Sequence, residues 1–453
     1  MSRILMHSSL AKGFYITLLG SGASKAILML ATFLFTHLLS KEDFGSFSFI
    51  RNTLNIIFCI SALNFVGLVT KFAAEVTYKK ECASRIFLLF AFSLLVCMFI
   101  GVSLLFLPET TLYSITGIDS LNVYFRLVGF LLPMFMLQPL IEGVFRGIKL
   151  FKLIGILQIT TSIIFVIFVC FGACLYGLDG AVIGLIMYYF IYALISCCVC
   201  VKRLSLRKAF CSISWLSLKS QFGILWTMVL PVFVLSFIEA PINWWAQVLM
   251  TKYDSMGSIG SMSAILQIRN LLIIVPNYFF STFTAFQATL NAQGNQKQYF
   301  SNLKKTFCGC IFIGLCSALG LSMLGESILG LYGSEYTTDV FGFYIAMASF
   351  PFLITISLFR SSLLIKEHQR IMLFTSIASS FTLIGIMYLL LPNKVDPVES
   401  YFWGQLGYLI IMFIVFGIYM IIALKQYRLY HSNDTASLAW LQVSLFTWLA
   451  IPV

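Results

Sequence analysis

Apolar stretches of about 18 or more residues recur along the whole chain, and each could cross about 30 Å of hydrocarbon. Only 10% of the 453 residues are charged, against about 25% in ordinary soluble domains. Inside a bilayer, backbone groups must be hydrogen-bonded within their own segment, which favours helices. We therefore predict an all-α polytopic membrane protein with about twelve transmembrane helices. The spans lie near 12–38, 47–70, 86–107, 127–148, 153–175, 180–201, 222–250, 259–287, 306–331, 340–365, 371–391 and 402–424.

The charged connections alternate in sign along this series. The loops on one side of the membrane, with the N-terminal segment and the tail, carry 22 of the 29 Lys and Arg residues. The loops on the other side carry eleven of the 17 acids. Because basic loops stay in the cytoplasm, this bias places both termini inside. The net charge of +12 is thus a topology signal, and no nucleic acid is needed to explain it.

The longest charged connection falls near the middle of the chain and separates two sets of six spans. Matching features recur in each set: Ile50-Arg51-Asn52 opens span 2, Ile268-Arg269-Asn270 lies in span 8, and prolines interrupt spans 4 and 10. We predict two lobes around a central cavity, as in transporters built from internal repeats. The predicted segments are an N-lobe (1–201), a basic cytoplasmic linker (202–221), a C-lobe (222–424) and a cytoplasmic or interfacial tail (425–453).

Three cations stand inside predicted spans, although an arginine at the centre of a membrane helix costs about 2.5–3.5 kcal/mol. Lys25 lies mid-span in the first helix, too deep for its stem to reach the headgroups. Arg51 lies about one turn from an outer end, where anchoring to the headgroups is the alternative. Arg269 lies deeper in its span. The three together predict a cationic cavity that binds an anion.

The interior acids suggest coupling or gating. Glu142 and Arg146 are four residues apart, so they can pair on one helix face near the cytoplasmic end of span 4. Glu239 precedes Pro241 at membrane depth, where a carboxyl can exchange protons and so sense a proton gradient. Pairing of Glu239 with Lys25 or Arg269 is the alternative.

Signatures of enzymes are missing from the sequence. It has no phosphate-cradling glycine loop and no long extracytoplasmic loop that could house an active site. The twelve cysteines lie in or beside apolar runs without metal-ligand spacing. We predict a protein that is not an enzyme and needs no cofactor and no metal.

Several tracts resemble the lipid-linked oligosaccharide flippases of the O-antigen (Wzx) type, within the multidrug/oligosaccharidyl-lipid/polysaccharide exporter superfamily. The resemblance covers all twelve spans. Its carriers are Gly67 with Lys71 and Glu75, the tract from Glu142 to Lys152, Gly177-Leu178-Asp179-Gly180-Ala181, and Leu38-Leu39-Ser40-Lys41-Glu42-Asp43-Phe44-Gly45-Ser46-Phe47-Ser48. The related lipid II flippases place basic residues in spans 1, 2 and 8, similar to Lys25, Arg51 and Arg269. They usually have arginine where Lys25 stands, and their two extra C-terminal spans are not evident here.

The resemblance implies a substrate, a location and partners. The substrate would be an undecaprenyl-diphosphate-linked oligosaccharide, moved by alternating access to the outer leaflet of the bacterial cytoplasmic (inner) membrane for O-antigen or other surface polysaccharide. Lys25, Arg51 and Arg269 would bind the diphosphate, and partners would include membrane lipids, the polysaccharide polymerase and the chain-length regulator. A cation-coupled multidrug exporter of the same superfamily and a membrane polysaccharide polymerase are the alternatives.

Overall fold

The computed structural model describes residues 2–61, 65–75, 81–116, 122–148, 150–203, 223, 233, 241–366 and 368–431. Every regular element within these ranges is a helix. In the first half the helices are α1 (Ser2–Leu38), α2 (Lys41–Ser61), α3 (Val66–Glu75), α4 (Glu81–Phe106), α5 (Glu109–Thr116), α6 (Asn122–Phe135), α7 (Leu137–Gly147), α8 (Phe151–Phe165) and α9 (Phe171–Arg203). A π-helical segment, Val166–Cys170, joins α8 to α9.

The second half continues with α10 (residues 241–253), followed by eight helices. These are α11 (Met256–Leu272), α12 (Ile274–Ala292), α13 (Gln296–Met323), α14 (Gly325–Gly330), α15 (Val340–Ala348), α16 (Phe350–Ile365), α17 (Gln369–Leu390) and α18 (Pro397–His431). Two 3₁₀ segments, Ser334–Asp339 and Leu391–Asn393, precede α15 and α18. The first residues of the predicted tail extend α18, and 432–453 lie outside the described residues.

Seven helical stretches in the described ranges are long and apolar enough to cross a membrane. One of them, Phe151–Val199, runs through predicted spans 5 and 6 together. The chain reverses inside it at Tyr176 and Gly177, where φ of Gly177 is +58°. An L side chain is strained at that φ, so glycine suits the turn. The turn falls where the sequence predicts the connection between spans 5 and 6.

Prolines accompany breaks in three of the predicted spans: spans 4 and 10, as the sequence indicates, and span 8. Span 4 is divided into α6, which contains Pro133, and α7, which contains Pro139. Span 8 is divided just before Pro276, and span 10 just before Pro351. Proline lacks the N–H that would bond the preceding turn, so the helix is interrupted there. These breaks give shorter helices that end inside the predicted spans.

Glycines let neighbouring helices approach backbone to backbone. A Cβ at Gly20 of α1 would lie 2.6 Å from the Gly155 Cα of α8, closer than any side chain fits. A Cβ at Gly101 of α4 would lie 2.4 Å from the Gly129 carbonyl oxygen of α6. Membrane helices associate largely through such contacts, because lipid supplies little hydrophobic driving force between helices. Gly20 and Gly155 thereby fix α1 against α8, where the candidate site lies.

Two compact units can be distinguished. The first comprises Met1–Leu271, Glu326–Phe341 and Met387–Tyr401, and the second comprises Leu272–Gly325, Gly342–Ile386 and Phe402–Val453. The predicted lobes meet at a linker of which 204–221 lie outside the described residues, so that boundary stays a prediction.

The second unit has its own apolar core. Phe350, Leu358 and Leu363 of α16 pack with Met412 and Phe416 of α18, and all five are at most 1% exposed. In a membrane these side chains leave lipid rather than water, so close van der Waals packing between them stabilises the contact. The core therefore accounts for the attachment of α18 to α16.

Candidate functional site

A chain of polar side chains crosses three helices of the first unit. Gln158 of α8 accepts a hydrogen bond from Ser21 Oγ of α1 and donates one from Nε2 to Glu142 Oε1 of α7, over 2.6 Å. Arg146 Nη2 donates to the same carboxylate oxygen over 3.1 Å. The predicted pairing of Glu142 with Arg146 is therefore present. Gln158 adds a connection to α1 that the spacing alone does not predict.

Lys25 lies beside this chain on α1. It follows Ser21 by four residues, which places the two on one helix face. The hydroxyl of Ser24 bonds that of Ser162 on α8, one turn beyond Gln158. Lys25 itself is exposed.

Arg51 of α2 lies over an aromatic ring. Its guanidinium carbon lies 5.5 Å from the ring centroid of Phe165, at the end of α8. A cation over an aromatic face is attracted by the ring quadrupole, by about 2 kcal/mol when desolvated. Phe165 in turn lies edge-on to Tyr188 of α9, with ring centroids 5.3 Å apart.

Arg269 is the most deeply buried of the candidate cations. It lies near the end of α11, just before the break in span 8, and only 7% of it is exposed. Its Nη1 has no hydrogen-bond partner among the described residues, and the nearby polar group that its charge affects is Tyr401. Burying an ionised group without a partner is costly. The guanidinium thus has unused capacity to donate to an anion.

Polar side chains also join α2 to α10. Asn52 donates to Gln247 Oε1 over 3.1 Å, and Trp244 Nε1 donates to Thr53 Oγ1 over 3.0 Å. The Trp244 ring stacks on Phe49. The two amides are therefore paired with each other, and the indole N–H is paired with the Thr53 hydroxyl.

The six predicted site residues divide into groups. Glu142 and Arg146 form one ion pair, and Lys25 lies one helical turn from Ser21 of the same polar chain. Arg51 contacts Phe165, at the end of the helix that carries Gln158. Arg269 belongs to a different environment on α11, and no contact among the described residues joins it to Lys25 or Arg51. Glu239 and its predicted pairing lie outside the described residues.

Gln158 and the tyrosines of α9 are the residues that sequence reasoning missed. A signal existed: Gln158 is followed by Thr160-Thr161-Ser162 within an apolar span, and Tyr188-Tyr189 and Tyr192 recur within α9. Polar side chains inside membrane spans usually face the protein interior. Whether Gln158 reaches Glu142 depends on how α7 and α8 pack. The spacing of residues along the sequence does not predict that packing.

Replacement of Gln158 by leucine is expected to lower the thermal stability of the detergent-purified protein. Glu142 would lose a charge-assisted hydrogen bond and Ser21 its acceptor, at a cost of about 1–3 kcal/mol. The matched control is Thr160→Val, on an exposed position of the same helix. Equal melting temperatures for the two variants would contradict a stabilising role for Gln158.

The comparisons with known proteins agree with this architecture. The polysaccharide biosynthesis protein family matches residues 10–286, more than half of the chain. A search of curated proteins found no match.

Several solved structures share the fold at low sequence identity. An inward-facing multidrug resistance MATE transporter of the MOP superfamily has a TM-score of 0.73 at 14% identity, over 88% of this chain and 94% of that chain. A MOP transporter from Pyrococcus furiosus has a TM-score of 0.65 at 14% identity, over 91% and 96%. A Vibrio cholerae MATE transporter has a TM-score of 0.64 at 14% identity, over 92% and 97%.

The fold is therefore that of the MOP-superfamily transporters, with twelve transmembrane helices in two lobes, and not that of an enzyme. The all-α, twelve-span prediction is confirmed. The chain belongs to the polysaccharide biosynthesis protein family.

Proposed function

We propose that this protein is a flippase that moves undecaprenyl-diphosphate-linked oligosaccharide repeat units from the inner to the outer leaflet of the bacterial cytoplasmic membrane. The product would serve O-antigen or other surface polysaccharide synthesis. Arg269 carries the proposal, because a guanidinium that is 7% exposed with an unpartnered Nη1 is suited to an anionic group at membrane depth. Membership of the polysaccharide biosynthesis family supports a saccharide-linked substrate.

A diphosphate group could be bound by Arg269 together with the other two candidate cations, Lys25 and Arg51. Guanidinium groups bind phosphate oxygens through charge-assisted, often bidentate, hydrogen bonds. A diphosphate leaving water needs charge compensation, and Lys25, Arg51 and Arg269 would supply it in turn or together. The polyprenyl tail can stay in lipid while the glycan crosses, so the protein needs to shelter only the polar head.

The sugar would be recognised by amides and aromatic rings that face the pathway. Asn55 on α2 and Asn270 on α11 are exposed, whereas Asn52 and Gln247 bond each other. We propose that Asn55 and Asn270 contact the glycan, and that the Asn52–Gln247 pair holds α2 against α10.

Coupling to an ion gradient is proposed for the interior acids. Glu142 already accepts hydrogen bonds from Gln158 and Arg146, and its protonation would weaken both. Glu239 remains a second candidate on sequence grounds. If Glu239→Gln or Glu142→Gln left the gradient dependence of transport in vesicles unchanged, that residue would have no coupling role.

The orientation follows from the loop charges. Both termini would be cytoplasmic, and the protein would work beside the polysaccharide polymerase and the chain-length regulator. An epitope tag at either end should be inaccessible to protease in intact spheroplasts and cleaved after lysis.

The function is tested by deleting the gene from its own host. Loss of a flippase should accumulate lipid-linked repeat units on the inner leaflet and abolish surface polysaccharide. Loss of a polymerase would instead leave single repeat units on the surface. Normal surface polysaccharide in the deletion strain would contradict the proposal, and restoration by the intact gene is the control.

A multidrug exporter is the second candidate, because two of the similar structures are described as MATE transporters. The Pyrococcus furiosus structure is described as having a binding pocket of reverse polarity that suggests a different function, so this fold does not fix one substrate. A carrier of cationic drugs needs acids that face its pathway, whereas Glu142 is engaged with Arg146 and Gln158. Drug sensitivity of the deletion strain with intact surface glycan would favour this alternative.

A further inference from the structure

Lys41 and Asp339 form an ion pair between residues that are 298 positions apart in the chain. Lys41 Nζ lies 2.8 Å from Asp339 Oδ2, and Asp339 is only 9% exposed. The same carboxylate oxygen accepts hydrogen bonds from Ser261 Oγ over 2.6 Å and from Thr338 Oγ1 over 3.2 Å. Lys41 also donates to the Glu335 carbonyl oxygen over 3.0 Å. Three separate segments of the first unit therefore meet at one carboxylate.

Backbone contacts beside this ion pair leave no space between α2 and α11. A Cβ at Gly45 would lie 1.8 Å from the Met256 carbonyl oxygen, and one at Gly260 would lie 2.8 Å from the Lys41 carbonyl oxygen. Both positions therefore need glycine for the helices to approach this closely. A junction with this spacing excludes water as well as sugar.

Aromatic side chains extend the contact. Phe44 is 2% exposed and lies edge-on to Phe35 and Tyr336, with ring centroids 6.0 and 6.2 Å away. Phe33 packs against Tyr332 at 4.4 Å. The tract from Leu38 to Ser48, which resembles the flippases, thus lies where residues 33–44 contact residues 332–339.

Acidic groups surround the ion pair. Burial raises the pKa of Asp396 above its ordinary value, and the nearby Asp339 and Asp254 raise it further. Lys41 is the cation that offsets this negative charge at Asp339. Removing Lys41 would leave a buried carboxylate among like charges, which is costly.

We propose that Lys41, Phe44, Gly45, Gly260 and Asp339 form an outer latch, which closes the pathway on the extracytoplasmic side and must open for release. The proposal rests on the proposed function for its direction, since the loop charges place Lys41 outside the cytoplasm. Opening would break the ion pair, the two further hydrogen bonds to Asp339 and the packing of Phe44 against Tyr336, and none of these contacts is covalent.

The test uses access to a probe behind the latch, and it does not depend on the substrate. Ser48 is 5% exposed and follows Phe44 and Gly45 by four and three residues on the same face of α2. Ser48→Cys in the full-length protein is treated with a membrane-impermeant maleimide in spheroplasts. Parent protein without the new cysteine gives the background. Lys41→Met and Asp339→Asn are each expected to raise the labelling rate about tenfold, and the exchanged pair Lys41→Asp with Asp339→Lys should reverse the increase.

The matched control is Glu42→Gln, which removes an adjacent exposed charge on the first turn of α2. This variant should label at the rate of the unmodified Ser48→Cys protein. The proposal is overturned if Lys41→Met and Asp339→Asn also label at that rate, or if the exchanged pair labels as fast as the single variants. Maleimide labelling is measured without a glycan substrate. A negative flippase assay would therefore not contradict the latch, and unchanged labelling would not contradict the flippase function.

Discussion

Replacing Arg269 with methionine is expected to slow flipping of diphosphate-linked lipid by about 100-fold while leaving the folded protein at least as stable. Two lost charge-assisted hydrogen bonds of about 1.5 kcal/mol each account for the slower rate. Stability should hold, because Nη1 has no partner among the described residues and methionine removes an uncompensated buried charge. The flipping rate is measured in reconstituted vesicles, and the melting temperature in detergent.

The control for this variant is Arg126→Ala. Arg126 pairs with Glu109 over 3.2 Å, but both side chains are exposed, at 43% and 67%, so little should change. Arg269→Lys keeps the positive charge but loses the bidentate geometry of the guanidinium, so its flipping rate should be intermediate. A full flipping rate in Arg269→Met at normal protein levels would remove Arg269 from the substrate site.

A valine at position 20 is expected to destabilise the first unit by about 3 kcal/mol. The new Cβ would meet the Gly155 Cα at 2.6 Å, and backbone atoms cannot move aside as a flexible side chain can. The separation of α1 from α8 should also weaken the bonds between Ser21 and Gln158 and between Ser24 and Ser162. The yield of monodisperse protein and its melting temperature report this loss.

Gly22→Val is the matched control, because it makes the same change two residues along the same helix. A Cβ at Gly22 meets nothing within 4 Å, so valine should be tolerated there. The close approach of α1 and α8 would be wrong if the two valine variants unfolded at the same temperature.

Most of the local architecture can be predicted from sequence. Apolar length predicts the spans, Pro139, Pro276 and Pro351 predict the breaks, and the Gly177 tract predicts a turn. Glu142 and Arg146 pair because residues four apart share a helix face. Each of these features depends on residues that are close together in the sequence. The interactions that determine it are local, so the sequence is sufficient to predict it.

The site is less predictable, because its contacts depend on how distant helices pack. The duplicated Arg-Asn tracts suggest equivalent positions, yet Arg51 lies over an aromatic ring whereas Arg269 is buried near Tyr401. Gln158 and Asp339 gain their partners only when their helices are in register with remote ones. Sequence spacing carries no information about that register.

The distance along the chain between Lys41 and Asp339 also has a consequence for biosynthesis. At about 5–20 residues per second, Asp339 is synthesised roughly 15–60 s after Lys41, which lies 298 residues earlier. During that interval Lys41 lacks Asp339 and Phe44 lacks Tyr336, so both side chains are open to other contacts. The first turn of α2 is thus completed late, and premature termination before residue 339 leaves an N-terminal fragment in which Lys41 and Phe44 lack these partners.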